Sequence, residues 1–570
     1  MSRHSASWDV LIIGSGAGGG AMAHRLCERG LRVLLLEKGP QHSSSDYRHD
    51  ELSMLHDSFF TPDPALDPHM VVTQQTTRAV PHKLGWSASC VGGGTEHMGA
   101  YLYRFHPDDF RMRSVFGDYA ELCDWPITYA DLEPYYQQAD QLLGMAGNHS
   151  ADHHYAPRKN PYPLPELRSH PIAQVLEQAC QQHGWQASAT PRAVNSQPYA
   201  NHPACSYCQH CGGYGCPSGA RGSSWSRLLK PAVSGALNTA GMVEVRAQCM
   251  VRRVLLDSDN TQASHAPKVT GCEYIDREGA VQSVYAHTVV LACSAVETAR
   301  LLLLSANDRF PQGLANSSGK VGRHLQFHGV TMGWAEWRNE GNTPAVRAAL
   351  ATSNSPFIGR SLYDFYHLPA NIAPIGHGGI LRFSRASPEP ITDAQALALS
   401  SGNPRWGDRL VADLQHFYRR SYRMAYEVFH GFIANADTHV SLDPDATDHY
   451  GLPSARISLA VDPHQRACGN YIAQQAEAIF KTMGANNIGR SVSGGTTWHL
   501  AHGTCRASHD PHQGVVNAQG QSHDIANLFV ADASYMPSNG AAPPTLTIIA
   551  NALRISDYIC SDDYKEKRDK

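Results

Sequence analysis

No run of about twenty consecutive apolar residues occurs in this chain, so the sequence offers no segment long enough to cross a bilayer as a helix. Charge is also sparse. Asp, Glu, Lys and Arg make up 17% of 570 residues and the formal net charge is −4, which excludes the basic footprint of a nucleic-acid binder. Internal repeats and low-complexity tracts are lacking. Met1 to Trp8 is polar and Asp9 interrupts before the first apolar stretch, so no secretory signal is read. The expectation is a cytoplasmic protein, with export on a partner's signal as the alternative. The 14 cysteines lack the spacing of a disulfide framework, since most, such as Cys27, Cys90, Cys123, Cys180 and Cys249, stand alone. The length suits two or three domains with substantial cores, and Lys565 to Lys570 reads as a solvated tail.

What is present is concentrated at the start. Val10 to Ile13 is a short β-branched run that suits a buried parallel strand, and Gly14, Gly16 and Gly19 follow it as G-x-G-x-x-G. A small-residue helix is expected over Ala21 to Arg29, then a second apolar strand, Val33 to Leu36, ending in Glu37. Gly14 permits the tight turn, Gly16 lets backbone approach a pyrophosphate, and Gly19 lets helix and strand pack closely. The helix N-terminus presents free N–H groups to phosphate. Glu37 accepts hydrogen bonds from ribose hydroxyls and disfavours a 2′-phosphate. The motif lies almost at the N-terminus and no second complete copy with a downstream acid holds a separate NAD. The reading is therefore FAD as a permanent group, with the electrons passed to another acceptor.

Three further segments extend this. Residues 85–110 carry the Gly-rich run Val91-Gly92-Gly93-Gly94-Thr95-Glu96-His97-Met98-Gly99-Ala100, which suits a loop lying against a flavin. Residues 288–302 read as strand, small-residue turn and helix, and 527–557 as strand, loop and long C-terminal helix. Together with the N-terminal motif, these resemble the glucose–methanol–choline (GMC) oxidoreductase family, in its bacterial sugar and sugar-acid dehydrogenase branch. The resemblance implies an α/β fold. A Rossmann-type FAD domain would be assembled from discontinuous segments, with an inserted, mainly antiparallel substrate domain. Residues 1–329 would form the FAD domain, with insertions at 40–84 and a Cys-rich loop at 200–222. Residues 330–490 would form the substrate domain, and 491–570 the C-terminal return. Asp532 would approach the flavin, and a helix starting near Thr545 would point its positive end at the ring.

Oxidising a carbinol needs a base for the hydroxyl proton, and histidine suits that task. The family places it in H-x-x-G-[GT]; here Trp498-His499-Leu500-Ala501-His502-Gly503-Thr504 puts Leu500 at that spacing, with His499 and His502 on either side as candidates. The family's partner Asn or His before Pro-Thr-Leu-Thr is replaced by Pro543, which has no polar side chain or N–H. Asn539 in the preceding loop is the substitute candidate. His97 stands where some relatives bond the flavin covalently; the expectation is packing without a bond. Cys205-x2-Cys208-x2-Cys211-x4-Cys216 is a cluster of soft ligands. It resembles iron–sulfur ligation that relays electrons outward, with zinc, disulfides and free thiols as alternatives.

The resulting expectation is an FAD-dependent dehydrogenase of a polyol, sugar or sugar acid, whose electrons leave for an external acceptor such as a partner subunit. The alternatives are an oxygen-using oxidase, a flavin-dependent desaturase or isomerase, and a silent FAD-binding subunit.

Overall fold

The computed structural model describes all residues except 1–7, 57–58, 75, 77, 86–87, 149–154, 258–266, 339–341, 352–356, 386–388, 400–403, 420, 497–499 and 570. Strands Trp8–Ile13 and Arg32–Leu36 run parallel, with Val10 opposite Val33 and Ile13 opposite Leu36. Their apolar side chains are buried, as expected where helices cover a parallel sheet. Val281–Leu291 flanks Trp8–Ile13 in parallel, and Met242–Arg246 flanks Arg32–Leu36. A short strand from far along the chain, Leu528–Val530, pairs in parallel with Val289–Leu291. An antiparallel ladder of Val269–Ile275 and Met250–Leu256 continues from the start of Val281–Leu291.

The first helix spans Ala17–Glu28, four residues earlier than its small-residue pattern suggested, because Gly16 acts as N-cap at the end of the turn. Gly14 has φ +98°, and a Cβ there would sit 2.3 Å from the Ala292 carbonyl oxygen. A Cβ on Gly19 would meet the Gly14 oxygen at 1.8 Å. Turn, helix and sheet thus meet at distances that only glycine permits.

The second sheet is antiparallel, in the order Asn487–Thr496, Gly329–Arg338, Ser421–His430, Gly379–Ser384, Arg360–Leu362, Ser188–Ala189. Side chains alternate across it. Met424, Tyr426 and Val428 pack on the helix Pro463–Thr482 through Ile472, Ala476 and Phe480. The opposite face carries Glu427 and Phe429 toward the parallel-sheet domain, where both line a cavity. A third sheet of four strands, His439–Thr447, Pro453–Leu459, His69–Thr73 and Val80–His82, completes the α/β architecture. Among the described residues no helix is long and apolar enough to cross a membrane.

Candidate active site

A cavity of about 520 Å3 lies between the two larger sheets. Gly14, Gly16 and Glu37 line it at the first turn, Gly93, Gly94 and His97 along one wall, and Asp532 and Thr545 along another. Gly19 is the exception among the expected cofactor residues, since it packs helix on turn. A Cβ on Gly16 or Gly94 would meet nothing within 4 Å, so their bare faces are open for a ligand's close approach. Ser294, held at φ +82°, also lines the wall, and its buried hydroxyl has no hydrogen-bond partner among the described residues. The helix Ala17–Glu28 has no acid in its first turn, which keeps its N-terminus suited to phosphate.

Glu37 accepts from the Ser15 N–H at 3.1 Å, the Ser15 hydroxyl at 2.6 Å and the Gly39 N–H at 2.9 Å. Burial raises its pKa against these bonds, so further donors from a ribose would favour its charged form. Asp532 accepts from Ser294 N–H at 3.0 Å, Thr298 hydroxyl at 2.6 Å, and the N–H and hydroxyl of Ser534 at 2.8 and 2.5 Å. It ties the C-terminal return to the turn after Val281–Leu291. The donors, glycine faces and helix N-termini fit FAD. Sequence reasoning missed the ionic network beside Glu37. Lys38 meets Asp67 at 2.7 Å, His69 meets Glu297 at 3.0 Å, and Arg300 meets Glu297 at 3.2 Å and Asp448 at 2.6 Å. Apart from the Glu297–Arg300 pair, one turn apart on a helix, these pairs join residues far apart in sequence, and no local pattern announces them.

A third wall of the cavity carries Leu500, Ala501, Pro543 and Pro544. His499 lies outside the described residues. His502 is fully buried behind this wall. Neither of its ring nitrogens has a partner among the described residues, and burial lowers its pKa to about 3. Asn539 does not line the cavity. Its side chain accepts from Phe432 N–H at 3.1 Å and donates to the Phe327 carbonyl at 2.9 Å, a structural engagement on both atoms. His97 lines the cavity and stacks on Phe60 with ring centroids 5.1 Å apart.

The cysteine loop reaches the same cavity, because Gly212 and Gly213 line it. Left-handed backbone at Tyr207, Gln209 and Gly213 folds the loop tightly enough to bring its four thiols into electrostatic range of one another. No three of them lie mutually within 4.8 Å. A mononuclear tetrahedral site with ~2.3 Å metal–sulfur bonds is therefore not preformed. Cys208 also gathers with His49 and His210, their ligand atoms all within 4.8 Å. Arg192, Arg221 and Arg227 are buried around the loop, and none has a carboxylate within ion-pair distance among the described residues. Arg221 donates to the carbonyls of Met98 at 2.9 Å, Cys211 at 2.7 Å and Tyr214 at 2.9 Å, stitching this loop to the Gly-rich wall. The buried Glu96 carboxylate is an electrostatic neighbour of Arg221, and the Cys211 and Cys216 thiols lie in electrostatic range of the three arginines; thiolates there would compensate buried cations.

The family model described as GMC oxidoreductase matches residues 84–330 in its N-terminal part and 434–552 in its C-terminal part. A Rossmann-like NAD(P)-binding domain model matches 12–58. The chain is 31% identical to 6'''-hydroxyparomomycin C oxidase of Streptomyces lividus, over 97% of this chain and 91% of that one. It is 29% identical to the fructose dehydrogenase large subunit of Gluconobacter japonicus, over 99% of each. The crystal structure of pyridoxine 4-oxidase from Mesorbium loti superposes with a TM-score of 0.61 at 18% identity, covering 97% of this chain and 99% of that one, which shows a shared fold.

Proposed function

The chain belongs to the GMC oxidoreductase family, and from that premise we propose that it is an FAD-dependent dehydrogenase of CH–OH groups in a polyol, sugar or sugar acid. The observation that carries the reading is the single cavity joining the dinucleotide turn, Glu37, Asp532 and the start of the helix Thr545–Ile559. Bound FAD supplies the hydride acceptor. The residues of this chain do the rest. The turn at Gly14–Gly16 and the N-terminus of Ala17–Glu28 would hold pyrophosphate, Glu37 would hold ribose hydroxyls, and the N-terminus of Thr545–Ile559 would favour negative charge on the ring. A general base needs a pKa near the working pH and reach to the hydroxyl proton. His499 and His502 are the two candidates, and His502, behind the wall formed by Leu500 and Ala501 with its pKa lowered by burial, would need contact with substrate to act.

Cys205, Cys208, Cys211 and Cys216 would hold an iron–sulfur cluster, which supplies one-electron transfer toward an acceptor subunit. Three features support this assignment: Gly212–Gly213 on the cavity wall, four thiols in electrostatic range of one another, and the buried arginines beside them. Likeness to a fructose dehydrogenase large subunit supports the acceptor subunit. Likeness to a hydroxyparomomycin oxidase favours a second reading, electrons passing to O2.

The test is anaerobic titration of the purified flavoprotein with alcohols and sugars, together with iron and acid-labile sulfide analysis. Flavin bleaching with iron and matching sulfide supports the dehydrogenase. Bleaching with stoichiometric peroxide in air and no metal supports the oxidase. A flavin that no alcohol or sugar bleaches overturns both. Separate His499→Asn and His502→Asn variants then identify the base by which one abolishes bleaching while retaining FAD.

A further inference from the structure

The wall formed by Leu500, Ala501, Pro543 and Pro544 offers no charged or hydroxyl-bearing side chain to a substrate. The antiparallel sheet opposite does. Glu427 and Phe429 project into the cavity from Ser421–His430, and Tyr101 projects from the end of the Gly-rich loop. Phe429 locates this group. Its ring lies 5.8 Å from that of Tyr101 and 6.1 Å from that of His328, which in turn lies 4.9 Å from His502 beneath Leu500–Ala501.

The group is built, not incidental. Arg382 is the cross-strand neighbour of Glu427 and pairs with its carboxylate. The same guanidinium sits 3.9 Å over the Tyr101 ring, where the cation meets the negative face of the aromatic. Gly99 makes room for that ring, since a Cβ there would meet it at 2.6 Å. Burial and the Glu427 carboxylate push the Tyr101 hydroxyl up to about 12, so it stays protonated. Arg382 does not line the cavity; Glu427 does. A ligand therefore meets a carboxylate and a phenol whose countercharge lies behind them.

We propose that Glu427 and Tyr101, braced by Arg382, form the substrate-recognition subsite, with Glu427 accepting hydrogen bonds from substrate hydroxyls and selecting polyhydroxy compounds over simple alcohols. The inference rests on the CH–OH dehydrogenase reading and names the residues that read its substrate. Arg382 neutralises Glu427 from behind, and the lone pairs left on the cavity side accept from hydroxyls beyond the one being oxidised. A simple alcohol has no second hydroxyl to offer them, and a buried polar group left without its partner is what makes a site reject the wrong ligand. Phe429 supplies the apolar face on which a sugar's C–H groups rest.

The test uses the holoprotein. Neutral sugars and polyols (glucose, fructose, sorbitol, glycerol) are paired with their acids (gluconate, glycerate), and binding is measured by calorimetry beside anaerobic flavin bleaching. Butan-1-ol and benzyl alcohol serve as controls without a polyol pattern. The expected result is that at least one polyhydroxy compound binds and bleaches at least tenfold more efficiently than both simple alcohols. Glu427→Gln should weaken that binding tenfold or more while the flavin spectrum is kept, and Tyr101→Phe, which keeps the ring, by several-fold. If Glu427→Gln does not fold, Tyr101→Phe carries the test. Simple alcohols that bleach as well as the polyhydroxy compounds, or unchanged binding in the variants, overturn the subsite while the dehydrogenase reading stands. Failure of every compound, controls included, overturns both.

Discussion

The imidazole rings of His328 and His502 lie 4.9 Å apart, both fully buried, and none of their four nitrogens has a hydrogen-bond partner among the described residues. Like-charge proximity and burial keep His328 well below its ordinary pKa, with burial the larger cause. His430, His464 and His502 are lowered to about 3, again chiefly by burial.

This buried set makes the protein acid-sensitive. Each of the three is neutral when folded and takes up a proton near pH 6.5 when unfolded, so between about pH 6.5 and 3 the unfolded chain binds more protons. Stability is full above that window and falls as pH drops through it. Three such groups contribute a slope of roughly 4 kcal/mol per pH unit near pH 5. Urea unfolding at pH 7 and pH 5 measures it. A midpoint that rises on acidification contradicts the expectation.

Two glycines of the cofactor cavity separate folding from binding. Gly14→Ala places a Cβ against the Ala292 carbonyl at φ +98°, and the chain should lose both FAD and its cooperative melt. Gly94→Ala meets no protein atom within 4 Å. It should leave the apoprotein's melting temperature unchanged and reduce FAD retention after gel filtration.

Asp532→Asn keeps shape but turns one acceptor into a donor facing the Ser294, Thr298 and Ser534 donors. A cost of about 2–4 kcal/mol is expected from the unsatisfied groups, read as a lowered urea midpoint, with weaker FAD retention.

Asn539→Ala leaves the Phe432 N–H and the Phe327 carbonyl without their partner. Stability should fall by about 2–4 kcal/mol, while KM for any substrate of the soluble fraction stays within twofold. A large KM change with unaltered stability would return Asn539 to the substrate site.

His97 stacks on Phe60 and lines the cavity wall, and packing against the flavin without a covalent bond is the expectation. Acid precipitation is expected to give a colourless pellet and a yellow supernatant. A yellow pellet would favour the oxidase reading.

What was legible in the sequence is what the backbone constrains locally. Gly14, Gly16, Gly19 and Glu37 belong to one strand–turn–helix–strand unit, so their spacing alone predicts the turn. The start of the helix Thr545–Ile559 and Asp532 are similarly local to the C-terminal return. Glu427, Tyr101 and Arg382 meet through the register of two antiparallel strands and a loop hundreds of residues away, and no spacing rule joins them. Asn539 illustrates the reverse difficulty: a polar residue in the expected loop, whose amide meets two backbone groups of other segments that no local pattern shows. The thiols of Cys205 to Cys216 were visible as a cluster, but Arg192, Arg221 and Arg227 around them were not, since each comes from an unremarkable run.

The strand Leu528–Val530, which slots in beside Val289–Leu291, is made hundreds of residues after the Gly14–Gly19 turn. Asp532 and Thr545, which close the cofactor cavity, follow it in the chain. Until they are made, the turn stands with one wall missing. A nascent chain stalled before this strand therefore presents an incomplete pocket to flavin.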